Sequence, residues 1–236
     1  MTTYARRGLH GQVVEVIARR ILAGELAPGA TVDLTALQAE LDVSLTVLRE
    51  ALKVLSAKGL VDARQKRGTF VRPRADWSLL DADVIRWQFA EGADPRLLDQ
   101  LHEVRSIVEP AAARLAASRA SDDDLAALAG ALEEMAAGKG DPASAVAADL
   151  NFHRALLAAT HNELLERMEV VMETGLAERD RLVHGGEPHD DPVPSHRAVV
   201  DAIRAKDATA AETAMRGLLD KAVRDVKKVR GKKGRR

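Results

Sequence analysis

No cysteine occurs among the 236 residues. That excludes disulfides, thiolate metal sites and cysteine nucleophiles together, and leaves histidine and carboxylates to build any metal site. No apolar run approaches the ~18 residues that a membrane span requires, so no membrane partner is expected. The N-terminal stretch Met1-Thr-Thr-Tyr-Ala-Arg-Arg7 has no signal-peptide apolar core, and a cytoplasmic location follows as the expectation. Internal repeats are missing as well.

What the chain does have is charge, unevenly spread. A composition 46% apolar and 30% charged is that of a globular protein. At roughly 100–200 residues per domain, the length allows one large domain or two modest ones. The overall charge of −1 hides a partition: residues 1–75 carry +5, residues 76–223 carry −13 and residues 224–236 carry +7. A basic front suits nucleic acid, while an acidic surface also simply favours solubility. Charge alone leaves those readings balanced.

Turn signals divide the front. Leu9, Val13, Val16, Ile17 and Ile21 have helical spacing up to Gly24, and Leu26-Ala-Pro-Gly29 reads as a turn. Thr35-Ala-Leu-Gln38 reads as a capping box that opens a short helix to Leu41. After the tight Asp42-Val43 connection, Ser44 caps a third helix running to about Ala57, with Gly59 as its stop. Leu60 to Ala63 and Thr69 to Val71 are short β-prone segments around the basic turn Arg64-Gln-Lys-Arg67-Gly68. The order is helix, helix, tight turn, helix, hairpin.

That order is a winged helix–turn–helix, whose second helix reads the major groove through its N-terminal residues. Thr46, Arg49 and Lys53 lie three or four apart and share a face, while Val43, Val47, Leu48, Ala51, Leu52 and Leu55 can pack inward. Arg64, Lys66 and Arg67 in the wing can neutralise phosphates, and Gly68 permits close approach or a positive φ. Each feature alone also fits a solvated helix or an ordinary turn. Together they point to double-stranded DNA, with Thr35, Ser44 and Leu45 joining those residues as candidate contacts.

Beyond a linker at Pro73 to Ser78, everything reads as helix: Leu80 to Ala90, a helix opened by Asp94-Pro95 and kinked at Pro110, one from Ser121 to near Gly138, one from Asp141 to about Thr160, and others at about 162–183, 195–206 and 208–226. Gly185 to Pro194 reads as a loop. The fold class is mainly α: a winged helix–turn–helix over 1–75, an all-α antiparallel helical bundle over 76–226, and a basic disordered tail over 227–236.

Two constellations in the bundle carry chemistry. Asp149 and His153 are spaced i, i+4 and face one point, and His196 is a third donor from another helix. A carboxylate and imidazoles suit a divalent ion such as Zn²⁺, Ni²⁺ or Mn²⁺. The same pair can equally be an exposed Asp and a hydrogen-bonded core His. Arg105 lies on an apolar helix between Leu101 and Val108, where a guanidinium needs an anionic partner. That partner is either an internal carboxylate such as Glu109 or the carboxylate of a ligand.

The strings Leu26-Ala-Pro-Gly29, Leu34-Thr-Ala-Leu37, Val43-Ser44, Val47-Leu-Arg-Glu-Ala-Leu52, Gly59-Leu-Val61 and Arg67-Gly-Thr-Phe-Val71 resemble the winged helix of GntR-family transcription regulators. Leu45 stands where that family usually has an operator-reading Arg, and Val47 where Pro is common. Glu103-Val-Arg-Ser-Ile-Val-Glu-Pro110, Asp149-Leu-Asn-Phe-His153 and His196-Arg-Ala-Val-Val-Asp-Ala-Ile203 resemble the FCD effector domain of the FadR-type subgroup. Trp77 to Trp87 and Asp94-Pro-Arg-Leu97 are more particularly similar to galactonate-operon repressors.

The resemblance implies a homodimeric repressor on operator DNA, controlled by a small carboxylate effector, a sugar acid or hydroxy acid. It implies Asp149, His153 and His196 as metal ligands and Arg105 as the effector's anchor. The family's fourth ligand, a His, aligns with Leu218, which leaves three protein ligands. His161, His184 and His189 are weak substitutes, and His102 and His10 read as ordinary surface or packing residues. Two other readings stand beside this one: a metalloenzyme using Asp149, His153 and His196 to activate water, and a DNA-binding dimer whose helical part is purely structural.

Overall fold

In the computed structural model, which describes residues 8–90, 95–138, 140–173 and 191–233, the chain folds as two units, Met1–Asp94 and Pro95–Arg236. The first unit opens with α1 (Leu9–Leu22), which buries Val13, Val14, Ile17, Ala18 and Ile21 on one side. Helices α2 (Leu34–Leu41) and α3 (Leu45–Ala57) follow, then strands β1 (Val61–Arg64) and β2 (Gly68–Val71). The strands pair antiparallel, with Val61 opposite Val71 and Arg64 opposite Gly68. The Leu26–Gly29 turn is tied to this wing through Gly29 N–H to Val71 O at 2.8 Å and Val32 N–H to Thr69 O at 2.8 Å.

Local chemistry sets these boundaries. Asp33, not Thr35, caps α2: its carboxylate accepts from the Thr35 and Ala36 amides at 2.9 and 3.0 Å. An ionised carboxylate is a stronger acceptor than a hydroxyl, so the expected capping box at Thr35 gives way to the Asp two residues earlier. Asp42 ends α2 in the left-handed region at φ 48°, which Asp tolerates. Ser44 caps α3 as expected, accepting from Val47 N at 3.3 Å. Gly59 has φ +76°, and a Cβ there would lie 2.3 Å from the Asp76 carbonyl oxygen. Only glycine fits a position with both constraints.

Helix α4 (Ala82–Ala90) packs on α1. Trp77, Val84 and Trp87 join the same buried cluster as Ile17, Leu48 and Leu55. A boundary drawn at 75/76 from turn signals therefore differs from the observed one by this helix and its lead-in. Charge ties the helix down too. Lys58, at the end of α3, sits 2.7 Å from Asp81 and 2.9 Å from Asp83; Asp83 meets Arg86 at 3.0 Å, and Arg86 meets Glu15 of α1 at 3.5 Å. Burial pulls the Lys58 ammonium down, yet Asp81 and Asp83 hold it above its ordinary value.

The second unit contains α5 (Pro95–Arg119), α6 (Asp122–Ala137), α7 (Pro142–Ala158), α8 (Glu163–Arg167), α9 (Val193–Arg204) and α10 (Ala208–Lys233). Helix α5 packs on α7, α9 and α10, and α6 packs on α7 and α9. Small side chains on α5, Ala112, Ala113, Ala116 and Ala117, are buried beside Leu128, Phe152, Leu156, Val200 and Met215, and let the backbones approach closely. Ser121 and Asp124 form a capping box on α6, and Asp141 caps α7 ahead of Pro142.

Some expectations shift. Helix α5 does include Pro110 within its span, as read. The helix read over 162–183 is interrupted at Met168, whose N–H closes a tight turn on Leu165 O at 3.0 Å, and resumes over 169–173; residues 174–183 lie outside the described residues. Of the loop read at Gly185 to Pro194, residues 185–190 also lie outside them, and α9 already begins at Val193. The tail expected to be disordered from 227 continues α10 to Lys233. Its Lys, Arg and Val residues are compatible with a helix, and an Ala-rich helix stands ready to propagate into it.

Candidate functional site

Helix α3 owes its orientation in the first unit to the burial of Leu48, Ala51, Leu52 and Leu55. Thr46, Arg49 and Lys53 are accordingly exposed, and Leu45 is half-buried. Lys53 is paired with Glu50 at 2.7 Å, whereas Arg49 makes no ion pair among the described residues. Ser44 is exposed but its hydroxyl caps the helix. Thr35 is exposed in the first turn of α2.

In the wing, Arg64, Lys66, Arg67 and Gly68 are all exposed. Gly68 has φ +77°, as expected, and Lys66 also takes a positive φ of 68° to close the turn. Arg67 stacks 3.8 Å from the Phe70 ring centroid and donates to Gly29 O at 3.3 Å, so its guanidinium is held at the wing's edge. Exposed cations thus stand both on the wing and on the outer face of α3.

In the second unit the structure brings together what the spacing proposed. Asp149 and His153 of α7 and His196 of α9 are all buried, and one donor atom from each lies within 4.8 Å of the others. His196 Nδ1 donates to Pro192 O at 2.9 Å. Its Nε2 is 3.0 Å from Asp149 Oδ1 but has no hydrogen-bond partner. A buried nitrogen lone pair facing a carboxylate is costly unless a cation lies between them. The donor set and this unsatisfied atom therefore fit a divalent ion. His153 Nε2 lies 3.8 Å from Asp149 Oδ2. Burial, with Arg105 acting in the same direction, pushes His153 below its ordinary pKa against the pull of Glu109, and the neutral imidazole is the ligating form.

Arg105 is 5% exposed, and Glu109, one turn further along α5, is 0% exposed. They meet at 2.6 Å (Nε to Oε1) and 3.3 Å (Nη2 to Oε2). The internal carboxylate is thus the partner seen for the guanidinium. Arg105 Nη2 is also 3.1 Å from His153 Nε2. Glu109 Oε2 is 3.0 Å from His153 Nδ1, close but bent away from a linear hydrogen bond. Burial alone would raise the Glu109 pKa, but Arg105 and His153 hold it down to about 2. The buried stripe of α5 thus runs through Leu101, Arg105, Glu109, Ala112 and Ala116, and Ala111 is exposed.

Glu109 is the site residue that sequence reasoning undervalued. Its i, i+4 spacing from Arg105 was the available signal. Leu218, at the family's fourth-ligand position, is buried among apolar side chains at 4% exposure. His161 is exposed and engaged by Asp124 at 2.8 Å, away from the cluster. His102 is half-buried, with its pKa lowered by burial first and by Arg105 second. His184 and His189 lie outside the described residues.

Comparison with known proteins agrees with both halves. Residues 9–71 match the bacterial regulatory proteins of the gntR family, and residues 100–221 match the FCD domain. The galactonate operon transcriptional repressor of Escherichia coli K12 is 35% identical over 221 residues, covering 92% of this chain and 96% of that protein. A solved Streptococcus agalactiae GntR structure is 26% identical with a TM-score of 0.51, covering 91% of this chain and 99% of that one. Lar, which controls the expression of the Listeria monocytogenes agr system, shares the fold with a TM-score of 0.64 at 18% identity, covering 95% of this chain and 99% of its own. A DNA-reading winged helix joined to an effector domain is the architecture of a transcription regulator, which sets aside the metalloenzyme reading, and the chain belongs to the GntR family of bacterial regulators, in its FCD-domain branch.

Proposed function

We propose that this regulator is a homodimeric repressor of an operon for a sugar acid or related hydroxy acid, released from its operator when the acid binds in the helical domain. The observation that carries the reading is the buried Asp149, His153 and His196 cluster with Arg105 against it. Asp149, His153 and His196 would hold a divalent ion, Zn²⁺, Ni²⁺ or Mn²⁺. When bound, such an ion supplies positive charge to ligand carboxylate and hydroxyl oxygens. With Leu218 in place of a fourth ligand, more of its coordination sphere is left for water or ligand oxygens.

Arg105 supplies the second anchor. Glu109 takes its Nε–Nη2 edge and Nη2 also reaches His153 Nε2, so a ligand carboxylate would take Nη1 and compete with His153 for Nη2, in a fork geometry that Lys cannot copy. The first unit would read DNA through Thr46, Arg49 and Lys53, with Thr35, Ser44 and Leu45 nearby and Arg64, Lys66, Arg67 and Gly68 on phosphates. Two-fold operators require two-fold proteins, hence the dimer. A small-molecule panel tests the reading: aldonic acids should raise the melting temperature of metal-loaded protein and lower its affinity for operator DNA. A panel in which no acid does either would leave the helical domain purely structural.

A further inference from the structure

A neutral imidazole has one N–H, and which nitrogen carries it decides which can ligate. His196 solves this with its own backbone: Nδ1 donates to Pro192 O, and Nε2 is left bare 3.0 Å from Asp149 Oδ1. Among the described residues no backbone carbonyl does the same for His153. The group beside its Nδ1 is Glu109, at 3.0 Å, and its Nε2 faces Asp149 Oδ2 at 3.8 Å. A carboxylate beside Nδ1 favours the proton there, and His153 Nε2 then has a lone pair, as its 3.1 Å contact with the Arg105 Nη2 donor requires. Both histidines would thus present Nε2 to one carboxylate, His196 through its hydrogen bond to Pro192 O and His153 through the negative charge of Glu109 beside its Nδ1. Glu109 is a surprising choice of acceptor. It comes from α5, is fully buried, and already neutralises Arg105. A carboxylate kept only for Arg105 has no need to lie against the imidazole as well.

We propose that Glu109 is a positioning residue for the metal site: it fixes His153 in the Nδ1–H form with Nε2 turned to Asp149, while the same carboxylate holds Arg105. The metal ligand and the guanidinium therefore share one partner. This rests on the reading of Asp149, His153 and His196 as ligands. Carboxylate partners of ligating imidazoles raise ligand basicity and fix ring orientation. A shared partner adds communication, because a change in how Arg105 engages Glu109 changes what Glu109 offers His153. Metal and carboxylate ligand should then bind with reciprocal coupling.

The test compares metal affinity, by competition with a chromophoric chelator, for Zn²⁺, Ni²⁺ and Mn²⁺ alone on the full chain. The proteins are wild type, Arg105→Met, and Arg105→Met with Glu109→Gln. The double variant removes both charges, so neither is left buried and unpaired. If Glu109 positions His153, the double variant binds metal about 10–100-fold more weakly than Arg105→Met. Equal affinity in those two proteins would make Glu109 a mere counter-ion of Arg105 and overturn the proposal. Nitrogen NMR of metal-free wild type, with His153 assigned through His153→Gln, should show the Nδ1–H form; an Nε2–H ring overturns the proposal independently. Wild type that takes up none of the three ions fails at the metal reading, before Glu109 enters, and removes the proposal with it.

Discussion

Arg49→Ala should weaken binding to an operator selected from random DNA by about 1–3 kcal/mol if the side chain reads a base. The structure sets Arg49 apart from its neighbours. Burial of Leu48, Ala51, Leu52 and Leu55 turns it outward, and it makes no ion pair among the described residues. Lys53, one turn on, is held by Glu50 at 2.7 Å, with both side chains more than half exposed. An exposed pair of this kind contributes little, so DNA can recruit Lys53 at small cost. Arg49 carries no such cost, and its loss should exceed that of Lys53→Ala.

The assay is fluorescence anisotropy over a salt series with operator and scrambled duplexes. A base reader loses affinity for operator alone and leaves the salt slope nearly unchanged. A phosphate contact loses affinity for both and reduces the slope by roughly 0.9. Wild-type affinity of Arg49→Ala for both duplexes would refute the placement of this helix face on DNA.

Gly59→Ala should destabilise the first unit by at least about 1–2 kcal/mol from its positive φ alone, and by more because of the 2.3 Å approach to Asp76 O; an unchanged urea midpoint would show that the Asp76 segment yields freely. Purified protein should hold about one divalent ion per chain, reduced in His153→Ala and His196→Ala; metal analysis showing equal content in both variants would remove them as ligands. Arg105→Lys should weaken calorimetric affinity for the best sugar acid and leave effector-free operator binding intact, and an undiminished affinity would place the carboxylate anchor elsewhere. Glu109, at about 2 in the folded chain against 4.5 ordinarily, contributes stability that is complete above pH 4.5 and fades as pH falls toward 2, worth about 3 kcal/mol when complete. The stability gap between wild type and Glu109→Gln should therefore narrow on acidification, and a gap constant with pH would contradict it.

The winged helix was legible because its signals are local. Ser44 as a cap, Gly59 as a stop and the Gly68 turn each depend on a few neighbouring residues. Thr35 misled because Asp33 caps two residues earlier, on the Thr35 and Ala36 amides, which places Thr35 inside the first turn rather than at its cap. The metal cluster was legible in part: Asp149 and His153 share a helix face by spacing, but only the packing of α9 brings His196 to them. Glu109 was harder. A pattern search treats charged residues as solvent-facing, yet an Arg and a Glu one turn apart can enter a core together because each satisfies the other. The buried face of α5 therefore contains two charges that apolar periodicity alone would place outside.

The docking of α4 bears on how the DNA reader could be studied by itself. A fragment cut at Ala75 would contain every candidate DNA contact and still lack Trp77 and Trp87, which are 7% and 1% exposed in the whole chain. Two tryptophans bury about 300–500 Å² between them. At about 25 cal/mol per Å² that is roughly 7–12 kcal/mol as an upper estimate, similar to the entire stability of a small domain. The shorter fragment would also leave Lys58 without Asp81 and Asp83. An autonomous reader has to extend through Trp87, so the smallest piece able to fold is longer than the piece that touches DNA.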